Sequence, residues 1–164
     1  MGTKSRPRAR EVERARALVR RSLALRLVDC GSCNACEAEL AMLFSQDYDA
    51  QAAGVEMVAS PRHADGLVVT GTGTMQMRLA LARTLEAVGR PRLVVALGDC
   101  AISGGVHAGA YAAGSGVGDS VAIDLSIPGC PPRPDAILAA LRRLMRGDAP
   151  MPPESSAGGC AGGR

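Results

Sequence analysis

With 164 residues, 47% of them apolar but with only Phe44, Tyr48 and Tyr111 as aromatics, the chain can bury one aliphatic core and has too few rings for base-stacking platforms. It contains no run of 18 apolar residues, and its Arg-rich start lacks an apolar h-region, so a membrane span, a secretory leader and a disulfide framework for the six cysteines are not expected. The formal charge of +3 is uneven: nine Lys or Arg fall within residues 4–26, and the rest of the chain carries ten basic against fourteen acidic residues.

In chain order, residues 1–21 read as a basic arm. Positions 1–10 are small, charged and interrupted by Pro7. Residues 11–21 place Val12, Ala15 and Val19 on one helical face. The arm suits anionic lipid or an acidic partner, and equally a solvated helix. From Ser22 to Val28 the period changes to two, predicting a strand that leads directly into Cys30-Gly31-Ser32-Cys33-Asn34-Ala35-Cys36-Glu37. Cys36 to Phe44 is rich in helix formers. A second strand is expected over Gly54–Ala59, then a loop over 60–65, and a short buried strand over Gly66–Thr70.

Gly71-Thr72-Gly73 turns the chain, and Thr74 is the expected N-cap of a helix running to about Val88. This is not a dinucleotide fingerprint, since Gln76 stands where a third glycine is needed. A fourth strand over Arg92–Leu97 ends at a loop carrying Gly98-Asp99-Cys100-Ala101. A fifth is expected over Ser120–Leu125, followed by Gly129-Cys130-Pro131-Pro132 and a helix over Asp135–Arg146. Residues 147–164, with Cys160, form a Pro-, Gly- and Ser-containing tail. Strands alternating with helices predict a single α/β domain over residues 22–146, a flavodoxin-like doubly wound parallel sheet. The three cysteine-bearing loops follow the first, fourth and fifth strands, so they are expected on one edge of the sheet.

Thiolates gathered from separate loops suit either zinc or a [4Fe-4S] cluster, with redox thiols or inert cysteines as the remaining readings. Structural zinc usually takes two local pairs, whereas Cys100 and Cys130 stand singly. Glycine beside each ligand loop would let backbone N–H groups reach cluster sulfides and raise the potential. Cys30, Cys33 and Cys36 imitate the start of a ferredoxin run, which then fails because position 40 is Leu.

Gly31-Ser32-Cys33-Asn34-Ala35-Cys36-Glu37, Pro61-Arg62-His63-Ala64-Asp65, Gly98-Asp99-Cys100-Ala101 with Gly104-Gly105, and Gly129-Cys130-Pro131-Pro132-Arg133-Pro134 occur in this order. Together, over about residues 22–146, they resemble the small-subunit family shared by [NiFe] hydrogenases and the 20-kDa subunit of respiratory complex I. The resemblance implies one [4Fe-4S] cluster on Cys33, Cys36, Cys100 and Cys130, with Cys30 as an alternative ligand. Complex I proteins carry adjacent cysteines at the first position. Cys33-x-x-Cys36 instead looks like the short small subunit of membrane-bound, energy-converting hydrogenases of the formate hydrogenlyase type.

The resemblance further implies an electron-transfer subunit without a catalytic centre of its own. Its implied partners are a large [NiFe]-type or complex I-like subunit, a ferredoxin-like iron–sulfur subunit and membrane subunits. Nucleic acid is not among them. The implied location is cytoplasmic, on the inner face of the cell membrane, held peripherally through the complex. A complex I-like quinone reductase is the alternative, and a zinc-stabilised binding module without redox function is the second. Glu37 and Glu39 follow the cysteine pair; a solvated or dipole-stabilising carboxylate at a helix start is the leading reading for either, and of the two Glu39 is favoured as a proton relay towards a partner. His63 and His107 read as solvated loop residues, and Arg133 as either a charge near the ligand loop or a loop cap.

Overall fold

The computed structural model describes residues 13–15 and 17–148. The expected arm over 1–10, with Lys4, Arg6, Arg8 and Arg10, and the tail from 149 onward, with Cys160, lie outside the described residues.

Five strands, β1 (Leu23–Asp29), β2 (Val55–Met57), β3 (Gly66–Thr70), β4 (Leu93–Leu97) and β5 (Leu125–Ile127), form one sheet in the order β2-β1-β3-β4-β5. Every pairing is parallel. This is the flavodoxin-like order, in which the chain reverses direction across the sheet between β1 and β3. The helices are α1 (Ala35–Met42), α2 (Met77–Ala87), α3 (Asp99–Ser103) and α4 (Pro134–Arg146). Leu67-Val68-Val69 and the run from Leu93 to Leu97 are continuous apolar segments because β3 and β4 are covered on both faces and fully buried.

The sheet separates two apolar layers. On one side Leu23, Leu25, Val68, Val95 and Leu97 pack with Leu40 and Leu43 near α1 and with Ile137, Leu141 and Leu144 of α4. On the other, Val28, Leu67, Val69 and Val94 pack with Leu81 of α2 and with Val117 and Val121. Helix α4 opens on Pro134, at a position where the backbone N–H would have no partner within the helix, and closes at Gly147, whose φ of +86° suits a left-handed cap. Ala15 and Val19 are buried in the first layer, so the packed body reaches back to residue 15. Residues 13–15 and 17–18 are helical, as the spacing predicts.

Three local expectations are corrected. Thr74 is not the N-cap: its N–H bonds the Cys30 carbonyl and that of Met75 bonds the Ala112 carbonyl, holding the chain in a loop until α2 starts at Met77. Cys100 lies not in an open loop but in the short helix α3. The last strand begins at Leu125 rather than Ser120, because the Val117 carbonyl accepts the N–H groups of Ser120 and Val121 and curls that stretch into a turn. Pairing resumes at Asp124, whose N–H meets the Val94 carbonyl and whose Oδ2 takes the Val94 N–H at 2.9 Å.

Candidate metal centre

Three chain reversals at the carboxyl edge of the sheet, after β1, β4 and β5, carry Cys33 and Cys36, Cys100, and Cys130. The first is shaped by Asp29, the last residue of β1. Its Oδ1 accepts the N–H groups of Gly31 and Ser32, each at 2.8 Å, and Ser32 Oγ accepts that of Asn34 at 3.0 Å. Asn34 then takes a left-handed conformation, φ 69°, and α1 begins. The turn after β3 lies directly against this loop. A Cβ on Gly71, φ +81°, would sit 2.6 Å from the backbone of Gly31 and Ser32.

The second reversal needs glycine for a different reason. Gly98 has φ +87°, and a Cβ there would come within 2.5 Å of Cys36 Sγ. The β4 reversal therefore runs against the thiol of α1. The third is joined to the second by a bond from Asp99 N–H to the Gly129 carbonyl and one from Gly129 N–H to Asp99 Oδ1, at 2.9 and 2.8 Å.

All five described cysteines are free thiols. Cys36 is nearly enclosed, Cys100 half-buried, and Cys33 and Cys130 exposed. Burial pushes the Cys36 thiol up to about 12, with the charges of Glu37, Cys100, Cys33 and Cys130 adding to the effect. Burial also raises Cys100, followed by Cys130, Cys33 and Asp99, while its own backbone hydrogen bond opposes them. The four sulfurs thus share one electrostatic neighbourhood. Among the described residues no group of three or more His, Cys, Asp or Glu is disposed to hold a metal ion. The thiols converge without closing to the shell of a single ion. Four soft thiol donors are chemically suited to zinc or to an iron–sulfur cluster.

Cys30 stands apart. It is fully buried in the second apolar layer, and its thiol is raised to about 11 by burial and then by Asp29, with no contribution from the other cysteines. Its carbonyl takes the N–H groups of Gly73 and Thr74, which ties the first cysteine loop to the turn after β3.

Of the two glutamates on α1, Glu39 is half-buried, while Glu37 is the one engaged with the sheet. Thr70 Oγ1 donates to Glu37 Oε1, and Oε2 is buried without a hydrogen-bond partner. Glu37 also lines a groove of about 360 Å³ with Arg26, Leu27, Leu40, Phe44 and Met57. The Thr70–Glu37 pair spans 33 positions and leaves no local spacing signal. His63 and His107 are exposed in 3₁₀ turns. Arg133 is exposed and paired with Asp135 at 3.3 Å.

Residues 33–144 match the family described as NADH ubiquinone oxidoreductase, 20 Kd subunit. Formate hydrogenlyase subunit 7 of Escherichia coli is 40% identical over 120 residues, which cover 73% of this chain and 47% of that protein, so the chain spans about half its length. The probable membrane-bound hydrogenase subunit mbhJ of Pyrococcus furiosus is 37% identical over 134 residues, 77% of this chain and 79% of that one. Among solved structures, a chain of the membrane-bound sulfane sulfur reductase, an archaeal respiratory membrane complex, superposes with a TM-score of 0.67 at 28% identity, covering 83% of this chain and 77% of its own.

Proposed function

The chain belongs to the family of the 20 kDa subunit of NADH ubiquinone oxidoreductase, and from that premise we propose that it is the electron-transfer subunit of a hydrogenase-like, membrane-associated oxidoreductase complex. Its relatives are subunits of membrane-bound hydrogenases and of quinone oxidoreductases. The observation that supports the reading is that Cys33, Cys36, Cys100 and Cys130 come from three separate reversals on one sheet edge, with the Cys36 and Cys100 thiols raised by burial and then by the charges of neighbouring cysteines among the four.

These four residues would hold one [4Fe-4S] cluster, which when bound supplies storage and release of single electrons. The chain's own part is to present four thiolates, to keep Cys36 at the start of α1 out of water against the Gly98 reversal, and to leave Cys33 and Cys130 at the surface, where a partner can cover them. Met75, Val106 and Tyr111 are exposed on the reversals after β3 and β4, and the Met75 to Ala112 bond ties those reversals together. Such apolar side chains suit a protein partner at this edge. No helix of the described residues is long and apolar enough to cross a membrane. The partners proposed are a large [NiFe]-type subunit, a ferredoxin-like iron–sulfur subunit and membrane subunits.

Anaerobic purification of the complex tests the reading. The complex is expected to hold about four more iron and four more acid-labile sulfide per copy of this chain than its Cys33→Ala or Cys130→Ala counterpart, and to show on reduction one EPR component that those variants abolish. Nickel in the partner identifies the hydrogenase form. Iron without nickel favours the quinone reductase form, which the family description supports. Zinc lost in Cys33→Ala and Cys130→Ala, with iron and sulfide unchanged, overturns the redox account.

A further inference from the structure

We infer that Asp99 is a positioning residue that clasps the Cys100 and Cys130 reversals together and so sets the spacing between their thiols, a role that rests on the cluster reading of those thiols. β4 and β5 are parallel neighbours, and their ladder extends one step beyond β4 where the Gly98 N–H meets the Ile127 carbonyl at 2.8 Å. The chain then turns into α3, and the ladder cannot continue on backbone groups alone. The Asp99 carbonyl instead accepts the Ser103 hydroxyl at 3.2 Å.

Asp99 Oδ1 supplies the acceptor that the Gly129 N–H requires, at 2.8 Å, while Asp99 N–H donates to the Gly129 carbonyl at 2.9 Å. One residue thus grips the other at both ends of its backbone. Each gripped residue directly precedes a cysteine, Asp99 before Cys100 and Gly129 before Cys130. A change in this clasp therefore reaches both thiols through one covalent step. Gly129 has little freedom to compensate. Its φ is +138°, and Pro132 packs so closely that an added Cβ would lie 2.5 Å away.

Two effects of the side chain can be separated. The oxygen acceptor holds the spacing, and the carboxylate charge beside Cys100 favours the oxidised, more positive state of anything bound there. D99N keeps an oxygen acceptor and removes the charge, whereas D99A removes both.

The test uses the intact complex purified anaerobically with each variant. Iron and sulfide per chain, the reduced EPR spectrum, the midpoint potential and amide exchange at Gly129 are measured. In D99A, retention of the iron that Cys130→Ala removes is expected to fall about tenfold or more, the scale typical for groups that support metal ligands, and Gly129 exchange to accelerate. In D99N, iron, sulfide and Gly129 protection should match the wild type, with the potential shifted upward. Full iron content with an unchanged spectrum in D99A overturns the inference. Should Cys130→Ala remove no iron from the complex, the cluster reading fails on its own account. The clasp is then judged by Gly129 exchange alone, and equal protection in D99A and wild type overturns it.

Discussion

Cys30 and Cys33 are three residues apart and have opposite surroundings. Cys33 is exposed on the cysteine loop, and Cys30 is fully enclosed in the apolar layer beneath it. The thiolate is the reactive form, and the Cys30 thiol is raised to about 11. In metal-free protein, alkylation should therefore reach Cys33 and Cys130 long before Cys30. Residual Cys30 labelling should rise about tenfold per unit between pH 8 and 10, because the thiolate fraction grows tenfold per unit below the pKa. Mass spectrometry of labelled peptides reads this directly. Labelling of Cys30 as fast as Cys33 would show that the first loop opens into the core. The placement of the three cysteine-bearing reversals on one edge was legible in the sequence because each reversal follows a strand, and parallel sheets gather such positions on one edge. The supports around them were not. Glu37 meets Thr70 across 33 positions and Asp99 meets Gly129 across 30, and no local pattern encodes either contact.

At the scale of elements, the central strands were the most readable. Continuous Val and Leu over 67–69 and 93–97 leave no solvent-facing side, and only a doubly covered parallel strand accommodates that. The expected fifth strand over Ser120–Leu125 was placed too early, since residues 120–121 satisfy their N–H groups on Val117 instead of on a neighbouring strand. The same limit applied at Thr74, where contacts to Cys30 and Ala112 delay the helix. The helical residues before β1 belong with the packed body: Val19 is 2% exposed and touches the same layer as α4. Val19→Ala should lower stability by about 2 kcal/mol, the cost of removing buried apolar surface and leaving a small cavity. Chemical unfolding with an unchanged m-value would measure it. A change under about 0.5 kcal/mol would mean that this segment is not part of the cooperative unit.

On the scale of the whole molecule, the proposed ligand set is shared unequally across the sheet. Cys33 and Cys36 hang from β1, a seven-residue strand paired on both sides. Cys130 hangs from β5, three residues long and paired with β4 alone. Edge elements open most readily, and their opening costs far less than global unfolding. The lifetime of a bound cluster is therefore a property of the weakest strand and not of the metal–sulfur bonds alone. Iron release to an external chelator should become independent of chelator concentration once the chelator is in excess, because detachment of β5 is then the slow step. Traces of urea too dilute to unfold the chain should quicken it. If release instead keeps rising in proportion to the chelator, the centre is attacked directly through its exposed thiols. The same short strand would serve as the door during assembly, closing over the centre last, so that a partner docking on that edge acts as the bolt.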